Sequence, residues 1–213
     1  SYSTSAFYNY PILAINVAWL VFLVLFLSFS LSMINSFPSM IVFNNLLIMD
    51  SFTLLIKRLI LLASAFCILI SLNYLKYNQI NSFEFTLLIL LSILGMLLLI
   101  SSYDLLSLYL NVELMSLSFY ILAAYKRNSE FSSEAGLKYF ILGAFSSGLL
   151  LFGSSILYGF TGMTNFEDIA KLNLKIISTL DIISSLTYNG AFVSILFIAT
   201  ALLFKIAAAP FHM

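Results

Sequence analysis

The chain has 213 residues, 62% of them hydrophobic and only 8% charged, and its nine basic and nine acidic side chains leave no net charge. A soluble domain carries about 25% charged residues, so this composition excludes one, and without a basic surplus nothing points to a nucleic-acid partner. One cysteine, Cys67, and one histidine, His212, exclude a disulfide framework, a Cys-x-x-Cys redox pair, a cysteine-held cluster or a bis-histidine haem built from this chain alone.

Ser1–Tyr10 holds no basic residue, and the apolar run after it is of spanning length, so a cleaved signal peptide is not expected. The 21 Phe and 12 Tyr against 8 Gly and 3 Pro suit an A+T-rich genome, a compositional hint of an organellar gene. Hydropathy predicts about six spanning segments: Pro11–Ile34, Ser51–Leu75, Glu84–Ser101, Tyr103–Tyr125, Ala135–Tyr158 and Asn189–Phe211. Each can satisfy its own backbone as a helix in lipid, and none alternates like a barrel strand. The expected class is all-α, a polytopic transmembrane helix bundle forming one domain over residues 1–213.

Pro11 opens the first span, where a missing N–H is harmless. The loop Asn35–Asp50, with Pro38 and Asn44-Asn45, reads as an interfacial crossing. In the second span Lys57 and Arg58 lie about two turns from the start, close enough to snorkel to headgroups, and Cys67 reads as a small buried hydrophobe. Only Ser101–Asp104 separates the third and fourth spans, which should form a tight antiparallel hairpin.

The fourth span, YDLLSLYLNVELMSLSFYILAAY, carries Glu113 near its middle. A lone ionised group at membrane depth costs at least about 3 kcal/mol, so such residues face a protein interior or a hydrated path and mark ion or proton routes. Tyr109, Ser116 and Tyr120 share the face of Glu113 at helical spacing and form a hydroxyl stripe able to hold water beside the carboxylate.

The most polar loop, Lys126–Glu134, follows. Ser132 or Ser133 can cap the next helix, with Glu134 in its first turn against the positive end of the helix dipole. In that helix Gly143, Ala144, Ser147 and Gly148 supply two small-xxx-small pairs, a signal for close helix packing in lipid. Lys138 is open to two readings: an interfacial anchor, or a cation that leans into the bundle toward Glu113. Residues 160–188 read as a surface loop holding a short interfacial helix, opened by a Thr164-Asn165-Phe166-Glu167 capping box and showing Ile169, Leu172 and Ile176 on one face.

In the last span Lys205 precedes Pro210 by one helical turn. Proline removes the bond to the Ile206 carbonyl, so the helix is expected to kink or break just past the lysine. A charge at a broken helix is a recurring way to build an ion site near the midplane; the alternative is a lysine that snorkels from a helix end. Basic residues in the loops nearly cancel between the two sides, Lys76, Lys126 and Arg127 against Lys57, Arg58, Lys171 and Lys175, and leave the orientation open.

The stretches LYLNVELMSLSFYILAAYKRNSEFSSEAGLKYFILGAFSSGLLLFGSSILYGFTG and FKIAAAPFHM resemble the NADH dehydrogenase subunit 2 family of mitochondrial respiratory complex I and its bacterial antiporter-like equivalents. The likeness is densest over residues 103–213, and Met49-Asp50-Ser51-Phe52 continues it upstream. It implies an antiporter-like fold with a lysine at each broken helix, a place in the mitochondrial inner membrane, and a role in coupling quinone reduction to proton pumping. Glu113, Lys138 and Lys205 match the family's relay glutamate and lysines, and Pro210 its helix break. The Lys126 loop would face the matrix and the loop 160–188 the intermembrane space.

NADH, FMN, iron–sulfur clusters and ubiquinone would be held by other subunits and none by this chain, whose partners would be the other membrane subunits and the lipid bilayer. The N-terminus corresponds to the start of the family's second helix. The family pattern continues past Met213 through the broken helix into a second repeat, so a separate chain is expected to supply that remainder. Two rival readings stand beside this one: a subunit of an ion/proton antiporter, and a structural membrane subunit whose charges are relics.

Overall fold

In a computed structural model the described residues are 11–34, 39–77, 83–126, 129–171 and 182–209. They form α1 (Pro11–Ile34), a hairpin of β1 (Met40–Val42) and β2 (Leu47–Met49), α2 (Ser51–Tyr77), α3 (Glu84–Ile100), α4 (Leu105–Ala123), α5 (Glu130–Thr161), a short helix α6 (166–171) and α7 (Ile182–Ile206). Among these, α1, α2, α4 and α5 are long and apolar enough to cross a membrane. With 17 residues, α3 reaches the lower end of the spanning range of roughly 17–25. The all-α antiporter-like class expected from sequence is what the chain adopts.

Packing follows the chain. The pairs α1–α2, α2–α3, α3–α4 and α4–α5 are each in contact, and α5 packs along α7. Ala18, Val21 and Leu25 of α1 meet Leu61, Ala65, Ile68 and Leu72 of α2, with Ile93 of α3 closing the cluster. Both stripes follow the three-and-four spacing of one helix face, which is why two otherwise uniformly apolar helices hold one register. Serine hydroxyls are tucked against their own helices, as where Ser28 and Ser32 donate to the carbonyls of Leu25 (2.8 Å) and Phe29 (2.7 Å). These local bonds satisfy groups that lipid cannot. The distribution of polarity is inverted relative to a soluble protein: Thr86, Ser92, Ser101, Ser118, Ser146 and Ser194 are fully buried, while Leu23, Phe26, Ile70 and Phe152 face outward.

Several local expectations change. Asn35–Asp50 is not merely a crossing, because residues 40–49 form an antiparallel hairpin with Val42 opposite Leu47. Asn44 (φ 52°) and Asn45 (φ 67°) both take the left-handed conformation that a type I′ turn demands, and the Leu46 N–H donates to the Phe43 carbonyl (3.1 Å). The Arg58 guanidinium donates twice to the Ser32 carbonyl, at 2.7 and 3.1 Å, in the last turn of α1, where a cation also suits the helix dipole. Cys67 lies on the exposed outer face of α2 rather than buried.

The helix α5 starts at Glu130, ahead of the expected Ala135. Its 32 residues reach about 48 Å, longer than the ~30 Å hydrocarbon core, so its first turns stand in water where acidic residues cost nothing. The helix ends on Gly162, which adopts φ 69°. Residues 160–188 are therefore not one loop, since α5 runs to Thr161 and α7 begins at Ile182. Of Ile169, Leu172 and Ile176 only the first falls among the described residues, buried against Leu105, Leu157 and Ala191.

The cap of α6 is also shifted by one residue. Asn165 Oδ1 accepts the Glu167 N–H (2.9 Å), whereas the Thr164 carbonyl accepts the Leu105 N–H at the start of α4 (3.0 Å). One membrane face thus gathers the hairpin, the α3–α4 turn and α6. Ile48 N–H donates to the Ser101 carbonyl (2.8 Å), Tyr103 N–H to Leu46 (2.9 Å) and Phe166 N–H to Tyr103 (3.3 Å). The Tyr103 hydroxyl donates to Glu167 Oε2 (2.5 Å), and Lys171 Nζ pairs with Glu167 Oε1 (2.6 Å).

Candidate functional site

The site is built on α4, α5 and α7. Asp104, in an extended conformation, and Ser107 form a capping box that starts α4, and Ser107 ties that start to the hairpin by donating to the Leu46 carbonyl (3.1 Å). Nine residues further along comes Glu113, near the middle of a 19-residue helix whose ends lie at opposite membrane faces. Its depth therefore follows from where the helix begins.

Glu113 Oε2 is buried and has no hydrogen-bond partner among the described residues; Lys205 Nζ on α7 is in the same condition. The carboxylate acts on the ammonium through its charge. Ser116 turns its hydroxyl to the Glu113 backbone carbonyl (3.1 Å) rather than to the carboxylate. Tyr120, only 5% exposed, lies one turn beyond Ser116 with its hydroxyl near that side chain, and within electrostatic reach of Glu113. Tyr109, half-buried, lies one turn before Glu113.

The height of Lys205 is set by the packing of α7 on α5. Gly153 lets α7 approach, since a Cβ there would stand 2.9 Å from Ile198 Cγ1 and 3.0 Å from the Ile198 nitrogen. Further along, Phe204 meets Phe145 edge-on (6.0 Å). The α7 helix stops one residue beyond Lys205: Ala207 adopts φ 54°, its N–H donates to the Phe204 carbonyl (3.1 Å), and the Ala208 N–H donates to Leu203 (3.1 Å). This is a Schellman ending with alanine where glycine is usual. The break therefore falls ahead of Pro210, which lies outside the described residues, and Lys205 occupies the last turn, where the negative end of the helix dipole favours a cation.

Lys138 is elsewhere. It pairs with Glu134 four residues back (2.6 Å), and the two side chains are 62% and 60% exposed. It stands about 10 Å along α5 from Phe145, the residue facing Phe204. Glu113 and Lys205 come within reach of each other's charge without forming a salt bridge among the described residues, while Lys138 is paired with Glu134 instead.

Three groups at or near the site escaped the reading of the sequence. Asp104 Oδ1 is the third buried side-chain atom without a hydrogen-bond partner among the described residues; its signal is the polar turn itself. Tyr139 packs its ring edge-on against Tyr120 (centroids 4.9 Å apart). Gly143, taken as part of a helix-packing stripe, instead houses the Tyr120 hydroxyl, while Gly148 of the same stripe has nothing within 4 Å.

With this geometry in place, similarity to known proteins can be set beside it. Residues 102–213 match the family model described as NADH:quinone oxidoreductase/Mrp antiporter, transmembrane. NADH-ubiquinone oxidoreductase chain 2 of Marchantia polymorpha is 51% identical over the whole of this chain, which spans 43% of that relative. Its Arabidopsis thaliana counterpart is 47% identical, with 42% of its length spanned. NADH-quinone oxidoreductase subunit N of Bartonella bacilliformis is 46% identical over 80% of the chain and 33% of its own length. Among solved structures, a chain of respiratory complex I from Thermus thermophilus superposes with a TM-score of 0.69 at 26% identity, covering 93% of this chain and 40% of that one.

Proposed function

The chain belongs to the NADH:quinone oxidoreductase/Mrp antiporter transmembrane family, and from that premise we propose that it is part of a proton-translocating membrane subunit of a respiratory NADH:ubiquinone oxidoreductase in the mitochondrial inner membrane. The observation that carries this reading is the pair of buried charged atoms, Glu113 Oε2 and Lys205 Nζ, unpartnered by hydrogen bonds and coupled by charge across two helices. Two opposite charges that share a low-dielectric interior without a salt bridge leave each other uncompensated when either moves away, and a lone buried charge costs about 3–5 kcal/mol. Proton transfer discharges it: Glu113 takes up a proton, or Lys205 gives one up.

In this mechanism quinone reduction elsewhere in the complex supplies the movement, and the broken end of α7 lets Lys205 shift. Lys138, with Glu134, handles protons nearer the membrane face, and Tyr109, Ser116 and Tyr120 line the path. One cysteine on the outer face and one histidine give this chain no ligand set for a cysteine-held cluster or a bis-histidine haem. NADH, FMN, iron–sulfur clusters and ubiquinone belong to other subunits in this reading. The chain spans less than half the length of the plant relatives it matches.

The relay is tested in the assembled complex. Glu113→Gln or Lys205→Met is expected to lower the protons moved per electron pair, with Lys138→Met giving a smaller effect. Unchanged proton output in both Glu113→Gln and Lys205→Met removes these residues from the relay.

A further inference from the structure

Tyr120 is the most deeply buried aromatic hydroxyl among the described residues, and the surrounding residues fix where its oxygen lies. Its ring is held edge-on by Tyr139 at 4.9 Å and Phe140 at 5.8 Å, with interplanar angles of 87° and 85°. Its hydroxyl occupies the space that a side chain at position 143 would fill, so Gly143 acts as a notch for one phenol oxygen. On one side that oxygen lies near Ser116, one turn back on α4, whose own hydroxyl donates to the Glu113 backbone carbonyl. On the other side lies Tyr139, 43% exposed and next in sequence to Lys138.

Packing sets the level of the phenol. Along α5, Gly143 faces Tyr120 and Phe145 faces Phe204, so Tyr120 lies level with Lys205. Tyr120 also lies about two turns beyond Glu113 on α4, so the phenol stands between Glu113 and the membrane face that carries the α4–α5 connection.

We propose that Tyr120 is the gate on the proton path from that face: its hydroxyl, seated in the Gly143 notch, passes protons between the Tyr139 side and Ser116, and through Ser116 to Glu113. This role rests on the reading of Glu113 as a relay carboxylate. In one transfer the Tyr120 oxygen accepts a proton from water on the Tyr139 side and releases its own to Ser116 Oγ. The serine, turned from the Glu113 carbonyl to the carboxylate, releases its proton there. Glu113 becomes neutral, the water becomes hydroxide or returns from hydronium to water, and both hydroxyls regain their protons. The reorientation that resets the chain is a rotation about the C–O bonds. A ring clamped edge-on by two neighbours turns only when α4 and α5 shift, which ties proton access to helix movement.

The test uses the assembled complex in sealed membranes. Tyr120→Phe keeps the ring and its packing and removes only the hydroxyl. Proton uptake from the α4–α5 side is expected to fall by about 100-fold, the low end of what a positioned proton-transfer group contributes, while NADH oxidation by an artificial electron acceptor stays at the native rate. Ser116→Ala is expected to behave alike. In native protein the uptake step is expected to slow in D₂O, and in Tyr120→Phe that isotope dependence disappears.

Gly143→Ala retains every hydroxyl but fills the notch, and is expected to reproduce the loss; Gly148→Ala, on the same helix with open space around it, is expected to have no effect. Native uptake with the isotope dependence intact in Tyr120→Phe overturns the gate, as does equal damage from Gly148→Ala. If Glu113→Gln also pumps normally, the relay itself has failed. If Glu113→Gln is silent while Tyr120→Phe pumps, only the gate has.

Discussion

Glu167 receives two donors at once, the Tyr103 phenol and the Lys171 ammonium, and this fixes how the hairpin face responds to pH. Its carboxyl is held below the ordinary carboxylate range, first by the hydrogen bond from Lys171 and then by that from Tyr103. The same contacts push Lys171 and Tyr103 above their ordinary values, chiefly through the hydrogen bond to Glu167. A depressed carboxyl contributes stability above its unfolded value of about 4.3, and that contribution is lost as pH falls through the folded value. The raised phenol and ammonium contribute stability below about 10, lost as pH rises through their folded values. Exchange at the Phe166 amide, corrected for its intrinsic rate, should therefore be flat across neutral pH and accelerate at both extremes. Glu167→Gln should abolish the acid limb, and an acid limb that survives contradicts this role. At the same scale, Glu113 and Lys205 were legible because a charge in an apolar run stands out. Lys138 looked equivalent: Glu134 was legible in the first turn of its helix, but a cation paired four residues back and one leaning into the bundle read alike in the sequence.

At the scale of elements, the end of α7 rests on Ala207 in a left-handed conformation. That conformation costs an L-residue roughly 1–2 kcal/mol, while glycine gives back about 0.4–1 kcal/mol through its freer unfolded chain. Ala207→Gly is therefore expected to stabilise the protein by about 0.5 kcal/mol, and Ala207→Val, with a β-branched side chain, to destabilise it by about 1–2 kcal/mol. Thermal unfolding in nanodiscs checks the order, and a valine variant as stable as the glycine one contradicts it. The helices themselves were readable from hydropathy because each needs about 20 apolar residues. The hairpin was not read, although MIVF-NN-LLIM carries a type I′ turn signal, because two three-residue strands make a weak pattern beside long apolar runs. The break just past Lys205 was legible from Pro210, but its form was not, since the Schellman bonds use backbone groups that no side chain announces.

At the scale of the molecule, the alternation of helices puts the hairpin turn, the α3–α4 turn and α6 on one face and the α4–α5 connection on the other, and the bridge between Asp104 and Asn165 confirms the first grouping. Single cysteines at Asn45 and Asn165, in a Cys67→Ser background, should react with a membrane-impermeant maleimide from the same side, and one at Glu130 from the opposite side. Reaction of all three from one side contradicts this arrangement. Within that frame the account rests on Glu113 and Lys205 behaving as one unit, and a double-mutant cycle on proton output per electron pair tests this most directly. If the two groups act as one unit, Glu113→Gln combined with Lys205→Met should be no worse than the more damaging single variant. Losses that instead multiply, with each single variant removing an independent share of the pumping, would contradict the coupled pair.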